Sequence, residues 1–179
     1  VNVRSVTRLR AKDYAIAGRS LRVSGKVRPG GRRKVVVKVG GQSIKTRTNG
    51  RGRFNVSWQA GSAGTRSVKA RAGNNAAASG SRDSAGKVTV YRYAQASYYG
   101  PGFYGNRTAC GQTLTPDMIG VAHKTMPCGT KLKLRHGKRE VTARVIDRGP
   151  YSGNREFDLT EATAQRLGFR GHGPLLVTR

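Results

Sequence analysis

Residues 122–130 read A-H-K-T-M-P-C-G-T, and two related stretches follow, V-I-D-R-G-P-Y at 145–151 and E-F-D-L-T at 156–160. These stretches bring one histidine, His123, and two aspartates, Asp147 and Asp158, into a short segment. The whole chain contains only 8 acidic residues against 35 Lys and Arg. In so basic a chain, two nearby carboxylates beside a histidine indicate a site for proton transfer.

The distribution of charge divides the chain into two halves. Residues 1–93 contain 22 Lys and Arg and only two acids, Asp13 and Asp83, whereas residues 94–179 contain 13 basic and six acidic residues. The second half also holds both cysteines and all three histidines. We therefore predict two domains, 1–93 and 94–179. Neither contains an apolar run near the roughly 20 residues that cross a bilayer, so no membrane span is predicted.

The first half is predicted to be a basic, immunoglobulin-like β-sandwich. Alternating or β-branched stretches separated by Gly-containing turns predict short strands. The predicted strands cover residues 21–28, 34–39, 42–48, 54–58, 65–70 and 87–91. Residues 73–86, rich in Ala, Ser, Asn and Gly, predict a flexible loop. Short strands at this spacing are typical of a sandwich.

The second half is predicted to consist of strands and one short helix. Residues 131–134 and 141–146 alternate in polarity, and this alternation places Asp147 on the same side as Val145, at the end of its strand. A helix is predicted directly after Asp158, because Thr160 can cap its start and Gly168 can end it.

Cys110 and Cys128 allow three interpretations. They could form a disulfide in an oxidising compartment, remain two free thiols in a reducing one, or supply a catalytic thiol beside His123. Each is followed by glycine, and nothing marks either thiol as activated. These matched Cys-Gly turns favour the disulfide, which predicts a secreted or cell-surface protein.

Four linked motifs carry a family resemblance over nearly all of residues 94–179. They are A-Q-A-S-Y-Y-G-P-G-F-Y-G-N-R-T-A at 94–109, G-V-A-H-K-T-M-P-C-G-T-K-L at 120–132, the V-I-D-R-G-P-Y stretch, and F-D-L-T-E-A-T-A-Q-R-L-G at 157–168. Together they resemble the double-psi β-barrel domain of the rare lipoprotein A family. The resemblance implies a six-stranded barrel that acts on bacterial peptidoglycan, with some members being lytic transglycosylases. The last motif is also similar to the barrel of expansins, which loosen walls without hydrolysis.

The resemblance implies roles for individual residues. His123 matches the histidine of the family's A-H-K/R-T motif, Asp147 matches the aspartate of its D-R-G-P motif, and Asp158 matches the aspartate of the expansin-like segment. The chain departs from the pattern at Gln112 and Thr115, where active relatives often carry Glu and Asp, although Asp117 lies nearby. An amide cannot donate or accept a proton, so Gln112 is expected only to bind substrate.

Lytic transglycosylation needs fewer groups than hydrolysis, because a hydroxyl of the sugar itself attacks and one carboxyl group can act first as acid and then as base. We assign that role to Asp147, with His123 hydrogen-bonded to it and Asp158 as a further catalytic candidate. Five aromatic side chains would supply faces on which sugar rings stack. They are Tyr98, Tyr99, Phe103, Tyr104 and Tyr151.

Structural interpretations of the same residues stay open. Asp147 could cap the R-G-P turn through backbone N–H groups, Asp158 could anchor the start of the helix, and His123 could be a buried core histidine. If catalysis has been lost, as Gln112 would allow, the protein is an expansin-like, non-catalytic wall-binding protein.

The net charge of +27 indicates a polyanionic partner. Nucleic acid is the second choice, because no DNA- or RNA-binding motif appears. The expected partners are peptidoglycan glycan strands and anionic wall polymers, bound by a monomer. No metal or cofactor is expected, because the three histidines lack ligand spacing and G-G-R-R-K lacks the features of a phosphate loop.

Overall fold

The computed structural model describes residues 4–76 and 78–179 and shows an all-β protein with a single helix. The chain divides into two compact units, Val1–Tyr91 and Arg92–Arg179. The elements are β1 (Val6–Arg10), β2 (Tyr14–Ile16), β3 (Ser20–Arg28), β4 (Lys34–Val39), β5 (Gln42–Arg47), β6 (Arg53–Gln59), β7 (Gly64–Ala72), β8 (Ser81–Tyr99), β9 (Val121–His123), β10 (Lys131–His136), β11 (Arg139–Asp147), β12 (Phe157–Thr160), α1 (Glu161–Leu167) and β13 (Gly173–Val177). Within the described ranges, no helix is long and apolar enough to cross a membrane.

The N-terminal unit consists of two sheets around one apolar core. The first sheet has the order β1-β3-β6, and the second has the order β5-β4-β7-β8 with β2 added in parallel to β8. Alternation along the strands puts valines inside and charged residues outside, as in β4, where Val35, Val37 and Val39 are buried. Trp58 from the first sheet joins the same core. The immunoglobulin-like assignment of this unit stays a prediction.

The predicted loop at residues 73–86 is wrong in its second part. Strand β8 begins at Ser81 and pairs with β7 from Ala72↔Ser81 to Val68↔Gly86. Backbone hydrogen bonds define this pairing, so it does not need the apolar side chains whose absence indicated a loop. Residues 82 and 84 are exposed while 81, 83 and 85 are half-buried, which is the period-two pattern of a strand with small residues.

The C-terminal unit is a closed barrel of six strands. Neighbouring strands in the ring follow the order β8-β13-β10-β11-β9-β12, starting from the last part of β8. The ring closes because β12 also pairs with β8. The ring leaves no free sheet edge among these strands and encloses an apolar core that includes Leu134, Val145, Phe157 and Leu159. This arrangement confirms the six-stranded barrel that the family resemblance implied.

The helix α1 forms as the sequence predicted. Thr160 is its N-cap, with the side-chain oxygen accepting a hydrogen bond from the backbone N–H of Thr163, and Gly168 ends it in the left-handed conformation at φ 62°. The hydroxyl of Thr160 also donates to the carbonyl of Met118, at 2.6 Å. The cap is therefore Thr160, and Asp158 does not anchor the helix.

A disulfide joins Cys110 and Cys128, whose Cα atoms lie 5.7 Å apart. It confirms the pairing predicted from the two Cys-Gly turns. The bond fixes the long segment between β8 and β9 to the turn before β10. This segment carries one side of the cavity described below, so the cross-link limits how far that side can move.

Replacing both cysteines by serine is expected to lower the free energy of unfolding of the C-terminal unit by about 3 kcal/mol, because the cross-link closes a loop of 18 residues. Chemical unfolding followed by far-UV circular dichroism measures this change. Trp58, the single tryptophan of the chain, lies in the N-terminal unit. Its fluorescence transition should stay unchanged, and a shift of that transition alone would contradict the prediction.

Candidate active site

Strand β9 places the two predicted aspartates on either side of one small residue. Ala122 pairs with Asp147 of β11 in a parallel ladder and with Asp158 of β12 in an antiparallel ladder. Directly paired residues share one face of a sheet, and neighbouring strands lie about 4.8 Å apart. Asp147 and Asp158 therefore lie in one row, about 10 Å apart at Cα, on either side of Ala122.

An irregularity in β11 turns Asp147 away from the core. The register shifts between Val145 and Asp147, so two steps along β11 match one step along β9. As a result, both Val145 and Ile146 are buried. The sequence prediction that Asp147 lies on the side of Val145 is therefore wrong, because a bulge breaks simple alternation.

Gly120 makes room for this bulge. A Cβ atom at Gly120 would lie 2.4 Å from the Cδ1 atom of Ile146, so any larger residue would collide with the Ile146 side chain. The absence of a side chain lets the end of β11 lie close to β9. This contact helps to set the position of Asp147, the next residue along.

The two carboxylates open into a cavity of about 400 Å³. Its walls come from the end of β8, the segment before β9, the turn after β11 and the start of β12. The lining residues are Tyr99, Phe103, Asn106, Arg107, Thr108, Leu114, Ala122, Asp147, Arg148, Gly149, Pro150, Tyr151, Ser152, Arg155 and Asp158. The combination of acids, arginines and aromatic rings suits a polar ligand with apolar ring faces.

Asp158 is held in a half-buried, hydrogen-bonded position. Its Oδ1 accepts a hydrogen bond from the hydroxyl of Ser97, at 2.7 Å, and Arg155 donates to the same hydroxyl at 3.0 Å. Burial raises the pKa of Asp158, the charge of Asp147 raises it further, and Ser97 and Arg155 act in the opposite direction. Asp158 is thus the carboxyl group of the cavity that burial favours in its protonated form.

Asp147 is fixed by the backbone. Its Oδ1 accepts hydrogen bonds from the N–H groups of Ala109 and Arg148, both at 2.8 Å. Through Oδ1, Asp147 therefore caps the turn, as the structural interpretation of this residue expected. An oxygen that accepts two N–H bonds does not itself carry a proton. The second oxygen is not held by these bonds.

Tyr99 connects the two acids electrostatically. Burial raises the pKa of its hydroxyl, and the charges of Asp147 and Asp158 raise it further. A hydrogen bond between this hydroxyl and the Asp147 side chain also raises the pKa. The hydroxyl therefore stays protonated and donates toward Asp147 inside the cavity.

His123 lies on the other side of β9 from the two aspartates. It follows Ala122 and is directed to the opposite face, where its ring lies 4.9 Å from that of Phe157. Its Nδ1 accepts from the N–H groups of Thr125 and Met126, at 3.1 and 3.0 Å, and its Nε2 lies 3.7 Å from Glu156. Both ring nitrogens are directed to groups other than Asp147, so the expected hydrogen bond between His123 and Asp147 is not formed.

Burial favours the neutral form of the His123 imidazole. Burial lowers its pKa, Glu156 acts in the opposite direction, and Arg92 and Arg148 lower it further. Because Nδ1 accepts two N–H bonds, the hydrogen-bond pattern assigns the ring proton to Nε2, which faces Glu156. Glu156 is itself paired with Arg92 through both of its oxygens, and this pairing lowers the pKa of Glu156.

The aromatic residues predicted to bind sugar rings divide into two groups. Tyr99, Phe103 and Tyr151 line the cavity, and Phe103 and Tyr151 are 54% and 78% exposed, so their ring faces are available to a ligand. Tyr98 and Tyr104 do not line it. Tyr98 precedes Tyr99 and is directed to the other face of β8, because side chains alternate along a strand.

Two other predicted residues are engaged outside the cavity lining. The hydroxyl of Tyr104 donates to Glu161, and this hydrogen bond raises the pKa of Tyr104 to about 12. Gln112 is exposed, and its Oε1 accepts a hydrogen bond from Thr108 at 3.1 Å. Thr108 does line the cavity, so Gln112 contacts the site through this residue.

Sequence reasoning did not identify several residues of the site. Ser97 and Arg155 hold Asp158, Arg148 lines the cavity, and the Arg92–Glu156 pair faces His123. A signal was present in Glu156, because it is one of only eight acids and lies two residues before Asp158. Across the residues that the structure describes, no group of three His, Cys, Asp or Glu could hold a metal ion.

Comparison with known proteins connects this geometry to a family. The family model described as "Lytic transglycolase", a double-psi β-barrel, matches residues 92–178. The C-terminal unit is a rare lipoprotein A-like double-psi β-barrel. The matched residues cover the whole six-stranded ring and both carboxylates.

Curated relatives of the rare lipoprotein A type show the extent of the likeness. A probable endolytic peptidoglycan transglycosylase RlpA from Synechocystis is 39% identical over 94 residues, which are 51% of this chain and 29% of that protein. The endolytic peptidoglycan transglycosylases RlpA from Campylobacter jejuni and Neisseria meningitidis are 42% and 40% identical over 80 residues, 44% of this chain and 29% and 34% of theirs. The chain thus spans about a third or less of the length of these relatives.

Replacing Asp158 by Asn in the rare lipoprotein A-type barrel is expected to stabilise the protein near pH 7 and not at low pH. The native pKa of Asp158 is raised, so the unfolded state ionises first as pH rises. The contribution of Asp158 to wild-type stability therefore falls as pH rises from the unfolded pKa, about 3.9, through the raised native pKa, whereas an amide does not titrate. Thermal unfolding across this range measures the difference. A variant less stable than wild type at every pH would contradict the prediction.

Two substitutions of His123 separate the functions of its ring nitrogens. His123→Asn keeps an acceptor near Nδ1 for the two backbone N–H groups, whereas His123→Gln places its polar group near Nε2. We expect the Gln variant to lose about 1–3 kcal/mol more stability, because it leaves buried donors unpaired.

The pH dependence of the same variants provides an independent measurement. The native pKa of His123 is lowered, so its contribution to stability is complete above the unfolded value of about 6.5 and is lost as pH falls. Both variants should lose this component of acid sensitivity. Equal stability of the Asn and Gln variants would show that the Nδ1 bonds do not matter.

Proposed function

We propose that this protein is a peptidoglycan lytic transglycosylase whose barrel cleaves glycan strands at the Asp147–Asp158 pair. One observation carries the proposal: both carboxylates flank Ala122 in a single row that opens into an accessible cavity. The relatives named as endolytic peptidoglycan transglycosylases share this barrel and support the same assignment. Because they are much longer than the matched region, their activity is here a proposal for this chain.

The reaction needs one proton to be delivered and one to be removed. An acid protonates the bridging glycosidic oxygen, and the bond between this oxygen and the anomeric carbon breaks. The C6 hydroxyl oxygen of the same sugar then bonds to the anomeric carbon, and its proton passes to a carboxylate. The products are a strand ending in a 1,6-anhydro sugar and a strand with a new free hydroxyl, and no water is consumed.

We assign the donating role to Asp158. Burial raises its pKa, so it holds a proton at a higher pH than an exposed aspartate does. Ser97 holds one oxygen, which directs the carboxyl group toward the cavity. Asp147 receives the second proton on the oxygen not held by Ala109 and Arg148. From the sequence alone, we expected Asp147 to carry out both proton transfers. The row of the two carboxylates across Ala122 supports dividing the transfers between Asp158 and Asp147.

The walls of the cavity suit a glycan strand. Tyr151 and Phe103 present exposed ring faces near the two acids, and sugar rings stack on such faces. Arg107, Arg148 and Arg155 line the same cavity and offer donors to acidic groups of the wall. His123 serves as a positioning residue, because its own carbonyl accepts a hydrogen bond from Arg148 and its ring orders the following turn.

The proposed substrate places the protein outside the cytoplasm. The Cys110–Cys128 disulfide supports that location, since such bonds persist mainly in oxidising compartments.

Incubation with purified, peptide-stripped peptidoglycan is expected to release fragments ending in 1,6-anhydro sugars, detected by mass spectrometry. Asp147→Asn and Asp158→Asn should each lower the rate by about a hundredfold or more, since an amide cannot transfer a proton. The rate of the wild type should also fall as pH rises through the raised pKa of Asp158.

The matched control is Asp117→Asn. Asp117 is an exposed carboxylate of the same unit that accepts a hydrogen bond from Thr115 and does not line the cavity. This variant should keep the wild-type rate. Wall binding without any anhydro product would replace the enzyme by an expansin-like binder. Loss of activity in Asp147→Asn but not in Asp158→Asn would return both proton transfers to Asp147.

A further inference from the structure

One face of the N-terminal unit carries cations and no exposed acid. Alternation and register place the outward residues of β4, β5, β7 and the first part of β8 on a single surface. We call this surface the cationic face and define it by its eight exposed Lys and Arg. They are Lys34, Lys38, Lys45, Arg47, Lys69, Arg71, Arg82 and Lys87.

Like charges face each other directly across the strands of the cationic face. The paired positions are Lys34↔Arg47, Lys38↔Lys69 and Arg71↔Arg82. Opposed like charges destabilise a sheet, and folding alone gives no reason to place three such pairs on one surface. A bound anion would turn each repulsive pair into a favourable contact.

No ion pair among the described residues of this unit compensates these charges. All ion pairs found among the described residues lie in the C-terminal unit. The unit has only two acids, Asp13 and Asp83, and Asp83 accepts a hydrogen bond from the N–H of Leu9 at 2.7 Å. Asp83 supplies one negative charge beside the eight cations, so most of the charge of the face is left to an external partner.

The shape of the cationic face suits a chain-like ligand. A shallow concavity of about 700 Å³ opens on it, and Lys38, Lys69, Arg71 and Arg82 contribute to its lining together with Val36 and Asp83. Successive outward residues lie about 6.6 Å apart along a strand, and neighbouring strands lie about 4.8 Å apart. The cations are therefore regularly spaced along and across the strands, and a linear polyanion can contact several of them in succession.

We propose that the cationic face binds an anionic cell-wall polymer whose charges are phosphodiesters. The proposal rests on the proposed function, since a wall-cleaving barrel in the same chain places this face beside such polymers. Nucleic acid fits less well. The outward positions of β4, β5, β7 and the first part of β8 hold no aromatic residue on which bases could stack, and the broad face of a sheet does not enter a DNA groove. Alkyl stems of Lys and the side chain of Val36 suit an aliphatic polymer backbone.

The test uses the full chain and soluble poly(glycerol phosphate) as the probe. The face variant carries Lys38→Gln, Lys69→Gln, Arg71→Gln and Arg82→Gln. The control variant carries Arg8→Gln, Arg10→Gln, Arg22→Gln and Arg53→Gln, which remove the same four charges from exposed outward positions of the other sheet. We expect the face variant to bind at least about tenfold more weakly at 100 mM salt, and the control to stay within about twofold.

The salt dependence supplies a second readout. The slope of log affinity against log salt should become shallower by up to about four in the face variant and by less than about one in the control. Equal weakening of both variants would overturn the proposal, because net charge alone would then explain binding. Tighter binding of the parent to duplex DNA than to the probe at the same salt would overturn it in favour of nucleic acid.

The two proposals can fail separately. Asp147→Asn is expected to lose anhydro product and keep probe binding. If the parent releases no anhydro product but the face variant still loses the probe, the proposed enzyme fails and the binding surface stands. If the parent releases the product but does not bind the probe, the binding surface fails alone.

Discussion

The pairing of the three-residue strand β9 with both β11 and β12 is the constraint on which the site depends. Ala122 hydrogen-bonds into two ladders of opposite direction, so it fixes the spacing of Asp147 and Asp158 at two strand widths. The same pairing closes the barrel, because β12 returns to β8. Closure of the barrel and the spacing of the two carboxylates are therefore consequences of one arrangement, and the site cannot be altered at Ala122 without disturbing the ring.

The two faces of β9 contact different groups. Asp147 and Asp158 face the cavity beside Ala122, where Tyr99 and the arginines surround them. His123 faces the other way, against Phe157 and the Arg92–Glu156 pair. One strand thus separates the two carboxylates of the cavity from the aromatic and ionic contacts of His123. Burial shifts the pKa of Asp158 upward and that of His123 downward, so both are favoured in their neutral forms.

Most of the secondary structure follows from local signals in the sequence. The alternation in β4 and β6, the cap at Thr160 and the glycine at 168 each act within a few residues, and each predicted element is present. The disulfide and the barrel were also predicted, the latter from linked motifs. Two predictions were wrong where pairing with a distant strand decides the structure. The bulge before Asp147 places this side chain on the face opposite Val145, and residues 81–86 form a strand because they pair with β7. The side on which His123 lies depended on that same pairing, which no spacing of residues along the chain could show.

The disulfide has a consequence for when the site becomes complete. Cys110 directly follows Ala109, whose N–H holds Asp147, and the Sγ atom of Cys128 accepts a hydrogen bond from Arg148, the other residue whose backbone holds that carboxylate. Oxidation of one cysteine pair therefore secures both supports of Asp147 in a single event. Without the disulfide, the two N–H donors of Asp147 would lack this covalent link between their segments. The support of the Asp147 carboxylate is in this way tied to an oxidising environment, in which such a disulfide persists.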